Sequence, residues 1–162
     1  IRLLFASRLY QDGRKNISLF QRLVNELVPE NIELRIIGSG WESFIAENSK
    51  TISNVYYEPN FNPETYENFI ESSDVLFYGG TDEGAISVLD FLTTGKTVLA
   101  TAQGYHLDWI DLPHLYLFSD EISFQAQVAK FVQDRQLRKK RYDALVDWRS
   151  YCAKHIEVFA RF

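Results

Sequence analysis

The sequence of 162 residues contains one cysteine, Cys152, and no methionine. A lone cysteine excludes an internal disulfide framework and suits a reducing compartment. There is no signal peptide pattern and no apolar run of membrane-spanning length. Basic residues, 17 in all, are outnumbered by 22 acidic ones, and the net charge of −5 disfavours a non-specific nucleic-acid binder. We therefore expect a cytoplasmic protein that does not bind nucleic acid.

The apolar residues, 46% of the chain, occur in short runs that alternate with helical patterns. Strands are predicted over residues 2–6, 32–37, 54–57, 75–78, 97–100 and, more weakly, 115–118. Helices are predicted over residues 17–28, 41–48, 64–72, a segment after Gly84, 123–133 and 137–160. This alternation predicts an α/β fold with a doubly wound parallel sheet, and the length fits a single Rossmann-like domain over residues 1–162.

Residues 77–101 form the most informative stretch. An apolar run is followed by a glycine-rich turn and then by the acidic pair Asp82-Glu83 and Gly84. An amphipathic segment carrying Asp90 then leads to Gly95 and a second apolar run. The pattern predicts one βαβ unit whose loop lies at the carboxyl edge of the sheet, where ligands bind in open α/β folds. The N-terminus of its helix would suit a phosphate, so the stretch predicts a nucleotide-sugar site.

The same residues resemble the C-terminal half of glycosyltransferase family 4 (glycosyl transferases group 1), whose enzymes have the GT-B fold. The resemblance lies in Glu83-Gly84, Asp90, Thr94-Gly95 and the strand that ends in Ala100-Thr101. It extends to FASRLYQDGRKN near the start, to IIGSG and to NVYYEPNF, so it covers most of the chain in the family's order. It implies that the chain is the donor-binding half of such an enzyme.

The resemblance also assigns roles to individual residues. Arg8 and Lys15 would hold the donor's diphosphate, with Arg14 as a rival for Lys15 because the loop register is open. Backbone amides would meet the donor at Gly84, Ala85, Ile86 and Ser87. Asp90 would bind the ribose hydroxyls. Glu83 would lie at the transferred sugar as the catalytic residue, accepting sugar hydroxyls or stabilising oxocarbenium-like charge.

Several alternatives stay open from the residues themselves. The family separates its two acidic residues by seven positions, whereas Glu83 and Asp90 have six between them. Pairing Asp82 with Asp90 restores the separation of seven positions. A methionine missing from the given sequence between Glu83 and Asp90 would restore it as well. Asp90 also fits a capping pattern with Ser87 as N-cap, and a basic residue in a loop is most often only solvated. The family's aromatic-Gly pair is replaced by Ala85 and Ile86.

The remaining chemistry-bearing residues give weaker signals. His106, His114 and His155 have no metal-ligand spacing, and we predict no metal site and no cofactor besides the nucleotide-sugar substrate. Gly38-Ser39-Gly40 is predicted to form a tight turn after a strand. The loop over residues 58–62 is expected to face the nucleotide base, and the segment 104–106 falls where it would contact the donor sugar or simply pack.

The function that the resemblance implies is a retaining sugar transfer from a nucleoside diphosphate, such as a UDP- or GDP-sugar, to an acceptor hydroxyl. This would serve polysaccharide or glycoconjugate biosynthesis. The N-terminal acceptor domain is expected to lie outside this chain, so the chain alone would bind donor without transferring sugar. That domain would also provide any peripheral contact with the inner face of the membrane. The alternatives are another GT-B-like enzyme, such as a nucleotide-sugar epimerase, or a degenerate binding or scaffolding module.

Overall fold

The computed structural model describes residues 1–10, 12–27, 31–48, 52, 54–81 and 84–137. Residues 135–137 are described by their backbone alone. It contains a sheet of six strands: β1 (Arg2–Ala6), β2 (Glu33–Ile37), β3 (Val55–Glu58), β4 (Val75–Tyr78), β5 (Thr97–Thr101) and β6 (Leu115–Phe118). Every neighbouring pair is parallel, and the order across the sheet is β3-β2-β1-β4-β5-β6. This is the doubly wound, Rossmann-like sheet that the sequence predicts.

Five α-helices connect and cover these strands: α1 (Ile17–Leu27), α2 (Glu42–Asn48), α3 (Pro63–Ser72), α4 (Ile86–Thr93) and α5 (Glu121–Leu137). Local chemistry explains where they begin. Helix α3 starts with a proline, whose missing N–H costs nothing at that position. The Asn62 side chain caps it by accepting the Thr65 N–H at 2.9 Å.

The core lies on both faces of the sheet, because successive strand residues point to opposite sides. On one face Phe5, Phe20 and Phe77 pack together with ring centroids 4.5 to 6.0 Å apart. On the other, Leu4 and Leu76 pack among the buried residues of α3 and α4. Burial of both faces accounts for the near-continuous apolar runs in the strands.

Two sequence-based predictions at the end of the chain need correction. Residues 123–133 and 137–160 were expected to form separate helices, but α5 runs without a break from Glu121 to Leu137. It also starts two residues earlier, because the Asp120 side chain accepts the Ser123 N–H at 2.7 Å. The rest of the predicted last helix, 138–160, lies outside the described residues.

The predicted irregular loop over residues 103–113 contains a 3₁₀ helix, Gly104–Trp109, which buries His106 completely. This short helix follows β5 at the carboxyl edge of the sheet and bears on the site below. Within the described part of the chain, no helix is both long and apolar enough to cross a membrane.

Candidate functional site

The strand order reverses between β1 and β4, and the helices that follow these strands, α1 and α4, pack on opposite faces of the sheet. Such a switch point opens a crevice outside the carboxyl ends of the strands, where ligands bind in this class of fold. The loops beside it are residues 7–16 after β1 and residues 79–85 after β4. They touch each other: the Thr81 N–H donates to the Arg14 carbonyl oxygen at 3.0 Å.

Arg8 lies in the first of these loops, two residues beyond β1, and its side chain is exposed. The guanidinium makes no hydrogen bond or ion pair with any residue that the structure describes. The backbone around it is nonetheless fixed, since the Leu9 N–H donates to the Ser39 carbonyl at 2.9 Å. Gly38 is required for this approach: its φ is +120°, and a Cβ there would lie 2.5 Å from the Ser7 carbonyl oxygen. The turn at Gly38-Ser39-Gly40 therefore supports the Arg8 loop.

Lys15 is buried, with 7% of its surface exposed, although lysine is seldom found inside proteins. Its ammonium donates to the Tyr78 hydroxyl at 2.9 Å and lies 4.8 Å from the centroid of that ring. Because Tyr78 is the last residue of β4, this contact brings a cation from the β1 loop to the switch point. A cavity of about 340 Å³ opens beside it, lined by Leu9, Tyr10, Gly13, Lys15, Asn16, Ile17 and Gly40.

Arg14, the rival for the Lys15 role, points elsewhere. Its guanidinium pairs with the exposed Asp12 carboxylate, with Nε donating to Oδ2 at 2.7 Å. The same group lies 4.7 Å from the centroid of the Tyr10 ring. These contacts hold the pKa of Asp12 below its usual value, chiefly through the side-chain hydrogen bond. The geometry therefore favours Lys15 over Arg14 as the cation at the switch point.

Helix α4 begins beside the end of β1. Its N-cap is Ala85, whose side chain cannot cap, and the N–H groups of Ile86 and Ser87 have no hydrogen-bond partner within the described ranges. The buried Ser87 hydroxyl donates to the Ala6 carbonyl at 3.5 Å, which ties the first turn of α4 to β1. The capping pattern that assigned Ser87 as the N-cap, with Asp90 three residues later, is therefore wrong. Ala85 is the N-cap, and Ser87 is the second residue of the helix.

Asp90 lies in the second turn of α4 and is half-buried. Its Oδ2 accepts a hydrogen bond from the Tyr66 hydroxyl of α3 at 2.8 Å, whereas its Oδ1 has no partner among the described residues. Burial, together with the carboxylate, raises the pKa of Tyr66 well above its ordinary value, so the hydroxyl stays protonated and donates. The carboxylate is thus held by one oxygen and keeps the other for a further donor.

His106 belongs to the segment 104–106 that the sequence placed at this edge of the sheet, but its individual contacts were not predicted. Its Nδ1 lies 2.8 Å from the Thr101 carbonyl oxygen, and its Nε2 accepts the Ala85 N–H at 3.2 Å. These partners assign the proton to Nδ1. Thr101 in turn donates its hydroxyl to the Gly80 carbonyl at 2.6 Å. His106 and Thr101 therefore fix both ends of the loop between β4 and α4.

Gly84 completes this buried arrangement. Its φ is +120°, and a Cβ at this position would lie 2.9 Å from carbons of the Tyr105 ring and 3.0 Å from His106 Nε2. The sequence signal was present, because the segment 104–106 was expected at this edge of the sheet. What could not be read from it was that the segment packs against Gly84 itself.

The catalytic candidate Glu83 and its alternative Asp82 lie outside the described residues, so their roles stay predictions. The predicted base-facing loop is described: Glu58 accepts the Asn60 N–H at 2.8 Å, and the exposed Phe61 ring packs on Tyr66 with centroids 5.1 Å apart. Across the residues the structure describes, no group of three or more His, Cys, Asp or Glu side chains is arranged to hold a metal ion.

No family model and no curated protein sequence matches this chain. Solved structures do match. The catalytic domain of starch synthase IV from Arabidopsis thaliana, bound to ADP and acarbose, is similar over 99% of this chain, with a TM-score of 0.70 and 12% identity. The pneumococcal O-GlcNAc transferase GtfA, in complex with UDP and GlcNAc, is similar over 85%, with a TM-score of 0.67 and 20% identity.

A third match is S. aureus TarM in complex with fondaparinux, α-GlcNAc-glycerol and UDP, over 82% of this chain at a TM-score of 0.64 and 18% identity. The chain spans only 38%, 29% and 28% of these three structures, respectively. At such identities the likeness concerns the fold. The chain thus has the Rossmann-like fold found within these GT-B glycosyltransferases.

Proposed function

We propose that the chain is the donor-binding domain of a retaining glycosyltransferase of the family 4 type, which transfers a hexose-type sugar from a nucleoside diphosphate to an acceptor hydroxyl. The observation that carries this proposal is that three sources of positive potential belong to the segments that follow β1 and β4 at one switch point. These are the exposed Arg8 guanidinium, the Lys15 ammonium and the uncapped N-terminus of α4.

A diphosphate is the ligand that fits these three groups best. A guanidinium grips phosphate oxygens bidentately, and an ammonium adds a compact charge. The N–H groups of Ile86 and Ser87, which have no hydrogen-bond partner within the described ranges, add backbone donors and the positive end of the helix dipole. In the transfer reaction the same groups would stabilise the negative charge that develops as the diphosphate departs. The proposed mechanism assigns no role to a metal ion.

The remaining parts of the donor would extend from this diphosphate. Asp90, one turn further along α4, would accept the ribose hydroxyls with Oδ1, which has no partner among the described residues. Glu83 would lie next to the transferred sugar, where a carboxylate accepts sugar hydroxyls or stabilises oxocarbenium-like charge. The loop with Phe61 would face the base.

The similar structures support a nucleotide donor, since those of starch synthase IV and GtfA hold ADP and UDP, respectively. Because this chain spans a minor part of each, the acceptor side would belong to an N-terminal domain of the full-length protein. We infer that the complete enzyme works in the cytoplasm in polysaccharide or glycoconjugate biosynthesis, with any membrane contact made by that other domain.

Calorimetric titration with UDP, ADP, GDP and UMP tests this function. We expect saturable binding of at least one diphosphate. We also expect UMP to bind roughly tenfold or more weakly than UDP if uracil is the base, because a lost charge-assisted contact is worth about 1.5–3 kcal/mol. Failure of all three diphosphates to bind would contradict the proposal, as would equal affinities for UMP and UDP in a protein that binds uridine nucleotides.

A further inference from the structure

The contact between Tyr66 and Asp90 joins two helices that pack on the same face of the sheet. Tyr66 lies in the first turn of α3, which the Asn62 cap and Pro63 begin, and Asp90 lies in the second turn of α4. Residues of both helices contribute to the core cluster on that face. Each residue is therefore carried by an element with a fixed backbone, and the 2.8 Å hydrogen bond between them has a defined geometry.

The hydrogen bond affects the two carboxylate oxygens of Asp90 differently. Oδ2 is occupied by the Tyr66 hydroxyl, and Oδ1 has no partner among the described residues. A carboxylate attached through one flexible bond would otherwise rotate and present either oxygen. Tyr66 is itself held, because its ring packs against Phe61 and most of it is buried. It can therefore restrict the rotation of the carboxylate.

We propose that Tyr66 is a positioning residue for nucleotide binding: it holds Asp90 by Oδ2 so that Oδ1 accepts a ribose hydroxyl of the donor. This inference rests on the proposed function, because it takes the ligand of Asp90 to be a ribonucleotide. It goes further in making recognition of the ribose depend on α3 as well as α4. The chemical consequence is discrimination between ribonucleotides and their deoxy counterparts, since a deoxy sugar leaves the held oxygen without a donor.

The test compares the best-binding nucleoside diphosphate among UDP, ADP and GDP with its 2′-deoxy and 3′-deoxy forms. The wild-type protein should prefer the ribonucleotide to one of these by roughly tenfold or more. Asp90→Ala, which removes both carboxylate oxygens, should reduce that ratio to about one. Tyr66→Phe should reduce it to about three or less, while leaving the affinity for the deoxy form unchanged. In the Asp90→Ala background, Tyr66→Phe should have no further effect on the ratio.

Tyr57→Phe is the matched control. Its hydroxyl also donates to a carboxylate, Glu42 Oε1 at 2.7 Å, and its pKa is also raised, mainly by burial. Tyr57 lies in β3 and Glu42 in α2, so neither takes part in the Asp90 contact. The ratio of ribonucleotide to deoxynucleotide affinity in Tyr57→Phe should therefore equal that of the wild type. Tyr66→Phe removes a single oxygen atom, and a thermal melt of each variant verifies that it is folded at the titration temperature.

The possible outcomes distinguish failure of this inference from failure of the proposed function on which it rests. If the wild-type protein binds no diphosphate, both are overturned. If it binds, and Asp90→Ala abolishes the discrimination while Tyr66→Phe leaves it intact, then Tyr66 only ties α3 to α4 and the inference alone is overturned. A Tyr66→Phe variant that loses affinity equally for the ribose and deoxy forms overturns it as well.

Discussion

Replacing His106 by alanine should loosen the start of α4 and destabilise the protein. The imidazole is fully buried and bridges the Thr101 carbonyl to the Ala85 N–H. Its removal leaves the part-buried Ala85 N–H without a partner, which costs about 1–3 kcal/mol, whereas the Thr101 carbonyl still accepts the Gln103 N–H at 2.9 Å. We expect a loss of about 2 kcal/mol in the free energy of unfolding, which corresponds to roughly 4–8 °C in the melting temperature of a domain of this size.

Two further variants separate the two hydrogen bonds. In His106→Asn the amide nitrogen reaches roughly the position of Nδ1 and can still donate to the Thr101 carbonyl. In His106→Gln the longer side chain brings an oxygen toward the position of Nε2 and can still accept the Ala85 N–H. Each should recover part of the lost stability in urea unfolding. His106→Ala should also weaken nucleotide binding, because it loosens the start of α4. Only the glutamine variant should recover that affinity, because the Ala85 contact is the one that holds α4.

Leu107→Ala is the control, since its side chain belongs to the same 3₁₀ helix but is exposed. It should change the unfolding free energy by no more than about 0.5 kcal/mol. The reasoning would be refuted if His106→Ala lost less than about 1 kcal/mol. It would also be refuted if the asparagine variant bound nucleotide as well as the glutamine variant does.

Three other substitutions test separate parts of the account. Gly84→Ala should cost more stability than Gly13→Ala in urea unfolding, because the Gly84 φ of +120° lies further from the left-handed helical region than the Gly13 φ of +76° and only the Gly84 Cβ would meet atoms within 4 Å. Equal losses would show that the close packing is unimportant. Lys15→Met should weaken diphosphate binding about tenfold or more by calorimetry. Lys96→Met, which removes an ammonium bound to backbone carbonyls of α3, should leave binding unchanged. Asn62→Ala should lower the unfolding free energy by about 0.5–2 kcal/mol through loss of the α3 cap, and an unchanged stability would contradict that role.

Much of the fold could be predicted because its determinants are local. Buried strands on a parallel sheet need apolar residues on both faces, and β1 and β4 carry them in unbroken runs. Helix starts were predictable where a cap or proline marked them, as at Pro63. The break expected before Leu137 was wrong because α5 continues there despite its polar composition.

Part of the candidate site could likewise be predicted from the sequence, and part could not. Arg8, Lys15 and the start of α4 could be assigned to one edge of the sheet, since topology alone brings the carboxyl ends of β1 and β4 together. The contacts of Asp90 and His106 could not, because their partners lie 24 and 21 residues away and no local pattern marks them. The alternative role of Ser87 as an N-cap was wrong, because Ala85 is the N-cap and the Ser87 hydroxyl donates to the end of β1.

The central claim is that a nucleoside diphosphate binds at the β1–β4 switch point. The most direct measurement is the calorimetric affinity for the preferred diphosphate in Arg8→Ala and in Arg22→Ala. Both residues are exposed arginines, but Arg22 lies on α1 and pairs with Glu121. The account predicts that Arg8→Ala weakens binding about tenfold or more, whereas Arg22→Ala leaves it unchanged. Equal affinities for the wild type and both variants would contradict it.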